Sequence, residues 1–437
     1  MALSGIQIYK LLPQTNCKEC GFPTCLAFAM KLAAKQVELA SCPYVSEEAK
    51  TQLAESSAPP IRLVTLKAGS EVKAGNEVVL FRHEKTFYNK PGIFVRFKAS
   101  DGDIAAKTAA AHAYSVSYVG MDFVVDGFAV EADGGDFGAA VKAVRGATDR
   151  PLILIGEAAA LEPGLQACSG ETVLIHAATD SNWEAMADLA AKYKAALVVK
   201  ADTLDGLAGL TEKIKAKGVE DLALDFDTTQ LGKWLATSTQ VRRLAIKQNF
   251  RALGYPVYAP AYAAADEGIF AAEAIAKYAG FVVLDKFVPE NIYPLLVLRE
   301  NIYTDPQKPI QVQPGIYEIN SPSADAPVLV TTNFSITYFA VANEVEGSGL
   351  PAWLVVTDAE GMSVLTAWAA GKFDAERIAK AVKGFDVASK VNKKRVVLPG
   401  HVAVLSGELE EELPDWEIRV GPREAVDLPA FMKQALN

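Results

Sequence analysis

Four apolar runs, Leu152–Ile155, Val173–Ile175, Leu197–Val199 and Leu222–Leu224, start 21, 24 and 25 residues apart. No other feature narrows the folds open to this chain so far. A strand that is apolar at every position needs cover on both faces, which is the situation of a parallel sheet. Helical patterns fill the gaps, as at Glu184–Tyr193 and Leu204–Lys217. About eight such strand–helix units in roughly 250 residues make a (β/α)8 TIM barrel, and the block 59–325 has the length for one. An open Rossmann-type sheet is the competing arrangement. No G-x-G-x-x-G follows a strand, so the dinucleotide fingerprint of that fold is missing.

Ahead of this block lie Cys17, Cys20, Cys25 and Cys42, spaced C-x2-C-x4-C-x16-C, and the rest of the chain holds one more cysteine, Cys168. Four thiolates are the usual ligand set of a [4Fe–4S] cluster. Three of them within one short loop can wrap three corners while the fourth closes the site from a distance. Zinc also takes four cysteines, more often as paired C-x-x-C knuckles or with histidine, and a disulfide pair is a third possibility. The residues from Cys25 to Ala40 predict a helix with Leu26, Met30, Ala33 and Val37 as its apolar stripe and Lys31, Lys35 and Glu38 opposite. Such a helix could cover the cluster or build the core of the small domain.

Two composition shifts mark the joints. Residues 46–60 are polar and end in Ser56–Ser57–Ala58–Pro59–Pro60, closing a cluster domain at about 1–58. A second linker, from Thr304 to Pro327, carries Pro306, Pro309, Pro314, Pro322 and Pro327, a density expected to keep it out of either neighbouring sheet. The domains expected are therefore 1–58, 59–325 and 326–437. A net charge of −10 argues against nucleic acid as a partner. No signal peptide opens the chain and no apolar stretch is long enough to span a membrane, so a cytoplasmic location is expected, and an oxygen-sensitive cluster would make it an anaerobic one.

Barrel chemistry sits where strands end. The residues there are Asp180 and Asn182, Lys200 and Asp202, Asp225 and Asp227, and Asp285 with Lys286. They could bind a pterin or a sugar, or cap the helices that follow. The four histidines, His83, His112, His176 and His401, offer few catalytic candidates.

The block 326–437 predicts a Rossmann-like α/β domain with strands at Val328–Thr331, Trp353–Val356, Arg395–Leu398 and Glu417–Val420. Helices are expected at Ser335–Glu344, Ala375–Val382, Val402–Glu412 and Leu428–Ala435. Open parallel sheets bind ligands beyond the carboxyl ends of their strands. Those ends carry Thr331, Thr332, Asn333, Phe334 and Thr337, then Gly361, Met362, Ser363 and Val364, then Gly400 and Gly421–Pro422. This rim of hydroxyls, amides and glycines suits a large, flat, amide-fringed ligand better than a polyphosphate. The same residue types also serve tight βα turns.

The segment Asn16-Cys-Lys-Glu-Cys-Gly-Phe-Pro-Thr-Cys25 resembles the cluster motif of the large (gamma) subunit of the corrinoid iron–sulfur protein of the acetyl-CoA decarbonylase/synthase (Wood–Ljungdahl) system. Phe81–Phe87, Thr331–Tyr338 and Leu365–Lys372 resemble the same family, in order along the chain. The resemblance implies a [4Fe–4S] domain, a barrel and a corrinoid (cobamide)-binding domain, with Cys17, Cys20, Cys25 and Cys42 holding the cluster. Thr331, Thr337 and the turn Gly361–Val364 would touch the corrinoid. It also implies a methyl carrier. Co(I) takes a methyl group from methyltetrahydrofolate, or an archaeal pterin, on a separate methyltransferase. Methyl–Co(III) then passes it to the nickel cluster of acetyl-CoA synthase. The cluster, fed by a ferredoxin-type reductant, returns Co(II) to Co(I), and a small subunit pairs with the chain. An iron–sulfur electron-transfer protein with a flavodoxin-like flavin domain, and a reductive activator of another corrinoid protein, are the alternatives.

Many corrinoid proteins supply a histidine to cobalt from D-x-H-x-x-G. Here His401 follows Leu398–Pro399–Gly400, and no histidine has the required aspartate two residues earlier. The expectation is a base-off cobamide whose cobalt has no protein ligand, which eases reduction to Co(I).

Overall fold

The computed structural model describes residues 5–33, 36–46, 49–50, 53, 59–118, 121–305 and 310–435. Helices α1 (Gly5–Leu11) and α2 (Cys25–Ala33) open the chain, and a 3-10 turn follows at Leu39–Ser41. Their shared core holds Ile8, Leu12, Cys25, Phe28, Ala29, Cys42 and Val45. The helix expected over Cys25–Ala40 is thus shorter, and residues 34–35 lie outside the described set. Its phase also differs. Leu26 and Met30 are 41% and 49% exposed, whereas Phe28 and Ala29 are buried. Cys25 faces inward, and the residues three and four later follow it onto the same side.

The barrel opens with a hairpin, β1 (Val64–Lys67) and β2 (Glu71–Ala74). Then come β3 (Gly92–Lys98), α3 (Ile104–Ala113), a second hairpin of β4 (Val116–Tyr118) and β5 (Met121–Phe123), β6 (Gly127–Glu131) and α4 (Phe137–Ala147). Strand and helix alternate from there: β7 (Leu152–Ile155), α5 (Ala158–Ala167), β8 (Leu174–Ala178), α6 (Trp183–Tyr193), β9 (Ala196–Lys200) and α7 (Leu204–Ala216). The series ends with β10 (Leu222–Asp225), α8 (Leu231–Lys247), β11 (Val257–Ala259), α9 (Glu267–Ala276), β12 (Ala279–Leu284) and α10 (Pro289–Tyr303). Strands β3 and β6 to β12 form a closed parallel barrel in which β12 pairs with β3. The four apolar runs are β7 to β10, buried at nearly every position.

The first hairpin plugs the barrel at the amino ends of its strands. Val64, Leu66, Val72 and Ala74 join Phe94, Ile153, Leu174, Val198, Phe281 and Val283 in one core. Gly92 opens β3 because a Cβ there would lie 2.7 Å from Val72 Cγ1. The irregular stretch between β2 and β3 is pinned from α8. Arg242 donates to the carbonyl of Val79 through Nε (3.0 Å) and Nη2 (2.7 Å), and ion-pairs with Glu77 at 3.4 Å. Its guanidinium lies 4.7 Å from the Tyr278 ring centroid and 5.3 Å from that of Phe87. Burial pushes Glu77 above the usual carboxylate range and Arg242 below its own, so each ion depends on the other for compensation.

The second compact unit comprises residues 115–123 and 304–437. Its elements are β13 (Gly315–Ile319), β14 (Val328–Thr332), α11 (Ser335–Ser348), β15 (Ala352–Thr357), α12 (Val364–Ala369) and α13 (Ala375–Gly384). They continue with α14 (Val387–Lys390), β16 (Arg395–Leu398), a 3-10 segment Gly400–Leu405, α15 (Ser406–Glu412), β17 (Glu417–Val420) and α16 (Leu428–Ala435). The sheet order is β13-β15-β14-β16-β17, parallel except for β13. Alternate residues feed two cores. Val328, Val330, Val355, Val396 and Leu398 meet α13 and α15, while Leu329, Leu354, Val356 and Val397 meet α11 and α16.

One expectation about this region is corrected. The proline-rich linker does join a sheet, because Gly315–Ile319 is proline-free and forms the antiparallel edge strand β13. The second unit takes the chain from Thr304. Pro306 and Pro309 lie outside the described residues. The hairpin β4–β5, numbered within the barrel, belongs to this unit as well. Tyr118 and Met121 pack on its second core, and the Tyr118 ring lies 6.1 Å from that of Phe339.

Breaking the Glu77–Arg242 pair tests how far the barrel depends on it. Glu77→Ala leaves a buried guanidinium without its counter-ion, and the expected loss is about 3–5 kcal/mol in the denaturant unfolding of the barrel. The double variant Glu77→Leu/Arg242→Met should recover most of it. A loss confined to a few tenths would show that the pair is not a fastening of this segment.

Candidate functional site

The thiol loop is shaped by its backbone. Gln14, Asn16 and Lys18 have φ of +58°, +51° and +68°, and Gly21 follows at +82°. Left-handed residues at alternate positions turn neighbouring N–H groups toward one side, the concavity used for anionic groups and iron–sulfur clusters. Asn16 joins the loop to α2, its Oδ1 accepting the N–H of Cys25 at 2.8 Å. The N–H of Asn16 in turn donates to Cys25 Sγ at 3.4 Å. Cys25 is the first residue of α2. Cys17 is exposed, Cys20 half-buried, and Cys25 and Cys42 buried. Among the described residues, no three Cys, His, Asp or Glu side chains converge closely enough to hold a single ion. The fifth cysteine, Cys168, stands apart at the end of α5, where burial pushes its thiol up to about 11.

In the second unit a cavity of about 340 Å³ opens at the carboxyl ends of the parallel strands. Of the residues expected at the strand ends, Thr331, Thr337, Ser363 and Val364 line it. Thr331 is fully buried, and its Oγ1 has no hydrogen-bond partner. The Oγ1 of Thr332 is likewise buried and unpartnered, but that residue does not line the cavity.

Thr332, Asn333, Phe334, Gly361, Met362 and Gly400, all expected at the site, are absent from its wall. Several of them build it instead. Asn333 Oδ1 accepts the N–H of Ala359 (2.9 Å) and of Gly361 (3.0 Å), tying the end of β14 to the turn after β15. Gly361 has φ +74°, and a Cβ would lie 2.8 Å from the Gln311 side chain, so glycine is required by the turn itself. Met362 packs into the core below. At Gly400 a Cβ would lie 2.5 Å from the carbonyl oxygen of Gly421.

The sequence reading missed the other half of the wall. Ile336, Ala340 and Val341 of α11 line it with Leu365, Arg423 and Glu424. The available signal was that α11 is apolar around much of its circumference, leaving Ile336 67% exposed. His401 also lines the cavity, its Nε2 lying 3.7 Å from Glu424 Oε1.

The strand-end polar residues of the barrel mostly partner one another. Asp225 pairs with His176 (2.9 Å), Asp227 with Lys200 (2.8 Å), and Asp285 with Arg96, which also engages Glu131. Asp180 reaches Lys213 at 3.9 Å, and Asp202 is exposed. Asn182 stands at the start of α6 but turns its Oδ1 back to the N–H of Thr179 (2.7 Å). The side chains that do cap barrel helices are Asp136, Thr203 and Asp266.

A family described as the CO dehydrogenase/acetyl-CoA synthase delta subunit matches residues 64–432, and one described by an Fe-S cluster matches residues 12–44. Relatives matching over the whole chain include both segments. The corrinoid/iron-sulfur protein large subunit of Moorella thermoacetica is 43% identical, covering 100% of both chains. Gamma subunit 1 of the acetyl-CoA decarbonylase/synthase complex of Methanosarcina mazei is 34% identical over 99% of this chain and 98% of its own. Among solved structures, dihydropteroate synthase from Thermus thermophilus aligns with 54% of this chain and 98% of its own at 15% identity, but its TM-score of 0.37 carries no argument. With the cysteine loop, the closed barrel and the α/β unit all inside these matches, the chain belongs to the family of corrinoid/iron–sulfur protein large subunits, the gamma subunits of acetyl-CoA decarbonylase/synthase.

Proposed function

We propose that this chain is a corrinoid methyl carrier of the reductive acetyl-CoA pathway, acting in methyl transfer together with partner enzymes. Residues 1–58 would hold a [4Fe–4S] cluster through Cys17, Cys20, Cys25 and Cys42, and the C-terminal unit would hold the corrinoid. The observation that carries the second half is the cavity at the strand ends, lined by Thr331, a residue whose buried hydroxyl has no hydrogen-bond partner. Buried polar atoms are nearly always satisfied, and a corrinoid is fringed with amides able to pair with this one. When bound, the corrinoid supplies the metal that carries the methyl group, and the cluster supplies the electron that restores it after oxidation.

The residues of the chain then have distinct tasks. Thr331, Thr337 and Ser363 would meet the polar fringe, and Val364 and Ile336 would meet apolar edges. Asn333 and Gly361 act as positioning residues that hold the turn before Ser363. A cavity of about 340 Å³ is too small to enclose a whole corrinoid, and Ile336 and Leu365 on its wall are 67% and 46% exposed. Both facts support a ligand covered on its other side by the small subunit. The methyl group would come from methyltetrahydrofolate on its methyltransferase and go to acetyl-CoA synthase, with a ferredoxin-type protein as electron donor. Among the described residues no helix is long and apolar enough to cross a membrane, which is compatible with the proposed cytoplasmic setting.

The cluster assignment is tested by Cys20→Ala. That variant should bind corrinoid and transfer methyl groups normally once pre-reduced, yet fail to restart from the cobalt(II) form with only a ferredoxin-type reductant. Normal restart would refute the repair role.

The cavity assignment is tested by two isosteric changes on neighbouring buried hydroxyls. Thr331→Val should weaken corrinoid binding several-fold, the effect of about 1 kcal/mol for one hydrogen bond. Thr332→Val should leave it unchanged. Equal behaviour of the two in an absorbance titration would place the ligand elsewhere.

We further propose that cobalt takes no protein nitrogen, although His401 lines the cavity. Electron paramagnetic resonance of the cobalt(II) form should show no nitrogen splitting, and His401→Ala should leave that spectrum unaltered. Splitting that vanishes in the variant would make His401 a ligand.

A further inference from the structure

The wall of the strand-end cavity in the second unit carries little charge. Of the residues that line it, only Arg423, Glu424 and His401 can be charged near neutral pH. Glu424 Oε1 stands 3.7 Å from His401 Nε2, and with its side chain 72% exposed that carboxylate lies largely in solvent. Arg423 has no carboxylate within ion-pair distance among the described residues. A guanidinium keeps its charge at every ordinary pH. One unpaired guanidinium on a wall of hydroxyls and hydrocarbon marks the place of one negative charge.

The backbone fixes where that arginine leaves the chain. The loop after β17 is bonded to the turn after β16 from both sides. The N–H of Gly421 donates to the carbonyl of Leu398 (2.8 Å), and the N–H of Gly400 donates to the carbonyl of Pro422 (2.9 Å). The approach is close, since a Cβ on Gly400 would lie 2.8 Å from the backbone nitrogen of Arg423. Beyond it, the carbonyl of Glu424 accepts the N–H of Asp427 at 3.2 Å.

We propose that Arg423 recognises the phosphodiester of the corrinoid's nucleotide arm, so that this chain selects complete cobamides over corrinoids without the arm. The inference rests on the corrinoid reading of the cavity given above. The amide fringe of a corrinoid is neutral, and the phosphodiester joining the ring to its lower base is the one negative charge among its side chains. Thr331, Thr337 and Ser363 can serve the fringe, but none of them can balance a charge. Arginine does so with parallel N–H donors that match two phosphate oxygens at once. A polyphosphate would call for several such cations, and the wall has one.

The test is an absorbance titration of the full-length chain, freed of corrinoid, with cobalamin, cobinamide phosphate and cobinamide, the last of which lacks the phosphate. The first two should bind about tenfold or more tightly than the third. Arg423→Gln, a change at an exposed side chain, should bind all three alike, at the wild-type affinity for cobinamide. Arg423→Lys should keep part of the preference. Thr331→Val should weaken all three equally, because it acts on the fringe. Cobinamide binding the wild type as tightly as cobalamin would overturn the assignment. So would cobinamide phosphate binding no tighter than cobinamide, or a cobalamin preference that survives in Arg423→Gln. Failure of all three to bind the wild-type chain would instead defeat the corrinoid reading itself, and this assignment with it.

Discussion

A parallel strand covered on both faces carries its polar chemistry mainly toward its end, and much of the arrangement of this protein follows from that constraint. In the barrel, β7, β9 and β10 are apolar up to their carboxyl ends, where Lys200 and Asp225 stand. Strand β8 carries one polar residue at its centre, His176, which Asp225 partners. In the second unit, β14 runs from Val328 through buried Val330 to Thr331 and Thr332, and Asn333 follows at its tip. Burial along the strand provides the core that holds it rigid. The same burial makes each polar group at the tip costly to leave alone.

The two sheets meet that cost differently. At the barrel mouth, carboxylates and cations pair with each other, so the strand ends are largely self-satisfied. In the second unit, Asn333 spends its carboxamide on the turn after β15, while the Thr331 hydroxyl beside it has no partner. One polar tip is thus used by the fold, and its neighbour has no partner within it. The turn held by Asn333 leads directly into Ser363 and Val364, so the wall of the cavity depends on an amide that does not touch it.

The amino-terminal segment works on another principle. It has little core, and its loop is ordered by backbone conformation, with left-handed residues at 14, 16, 18 and 21 and Asn16 bonded to the first turn of α2. Four sulfur ligands suit such a segment, because they would supply cross-links that its few apolar residues cannot.

Much of this architecture was legible in the residues. The period of the apolar runs carried the barrel, and the strands Arg395–Leu398 and Glu417–Val420 and the helix Leu428–Ala435 fall where pattern placed them. The thiol quartet, which we propose as a ligand set, is visible in the sequence because chemistry and spacing are local. Patterns that repeat every two or every 3.6 residues report which face is covered, and this holds wherever the cover comes from. Other features depend on contacts between residues far apart in sequence. That Ser115–Phe123 leaves the barrel to pack on the α/β core, and that Gly315–Ile319 becomes an edge strand despite flanking prolines, are decided by which surface each segment meets. The division of labour at the strand ends is of the same kind. Thr331 and Thr332 are adjacent hydroxyls of one strand, and strand alternation sends only the first into the cavity, whose other wall is contributed by α11 and by the loop after β17. The sequence by itself determined which residues could serve a ligand. Only the tertiary structure decided which of them line a cavity, because that choice is made by the direction of a side chain and by the neighbours that have already used its hydrogen bonds.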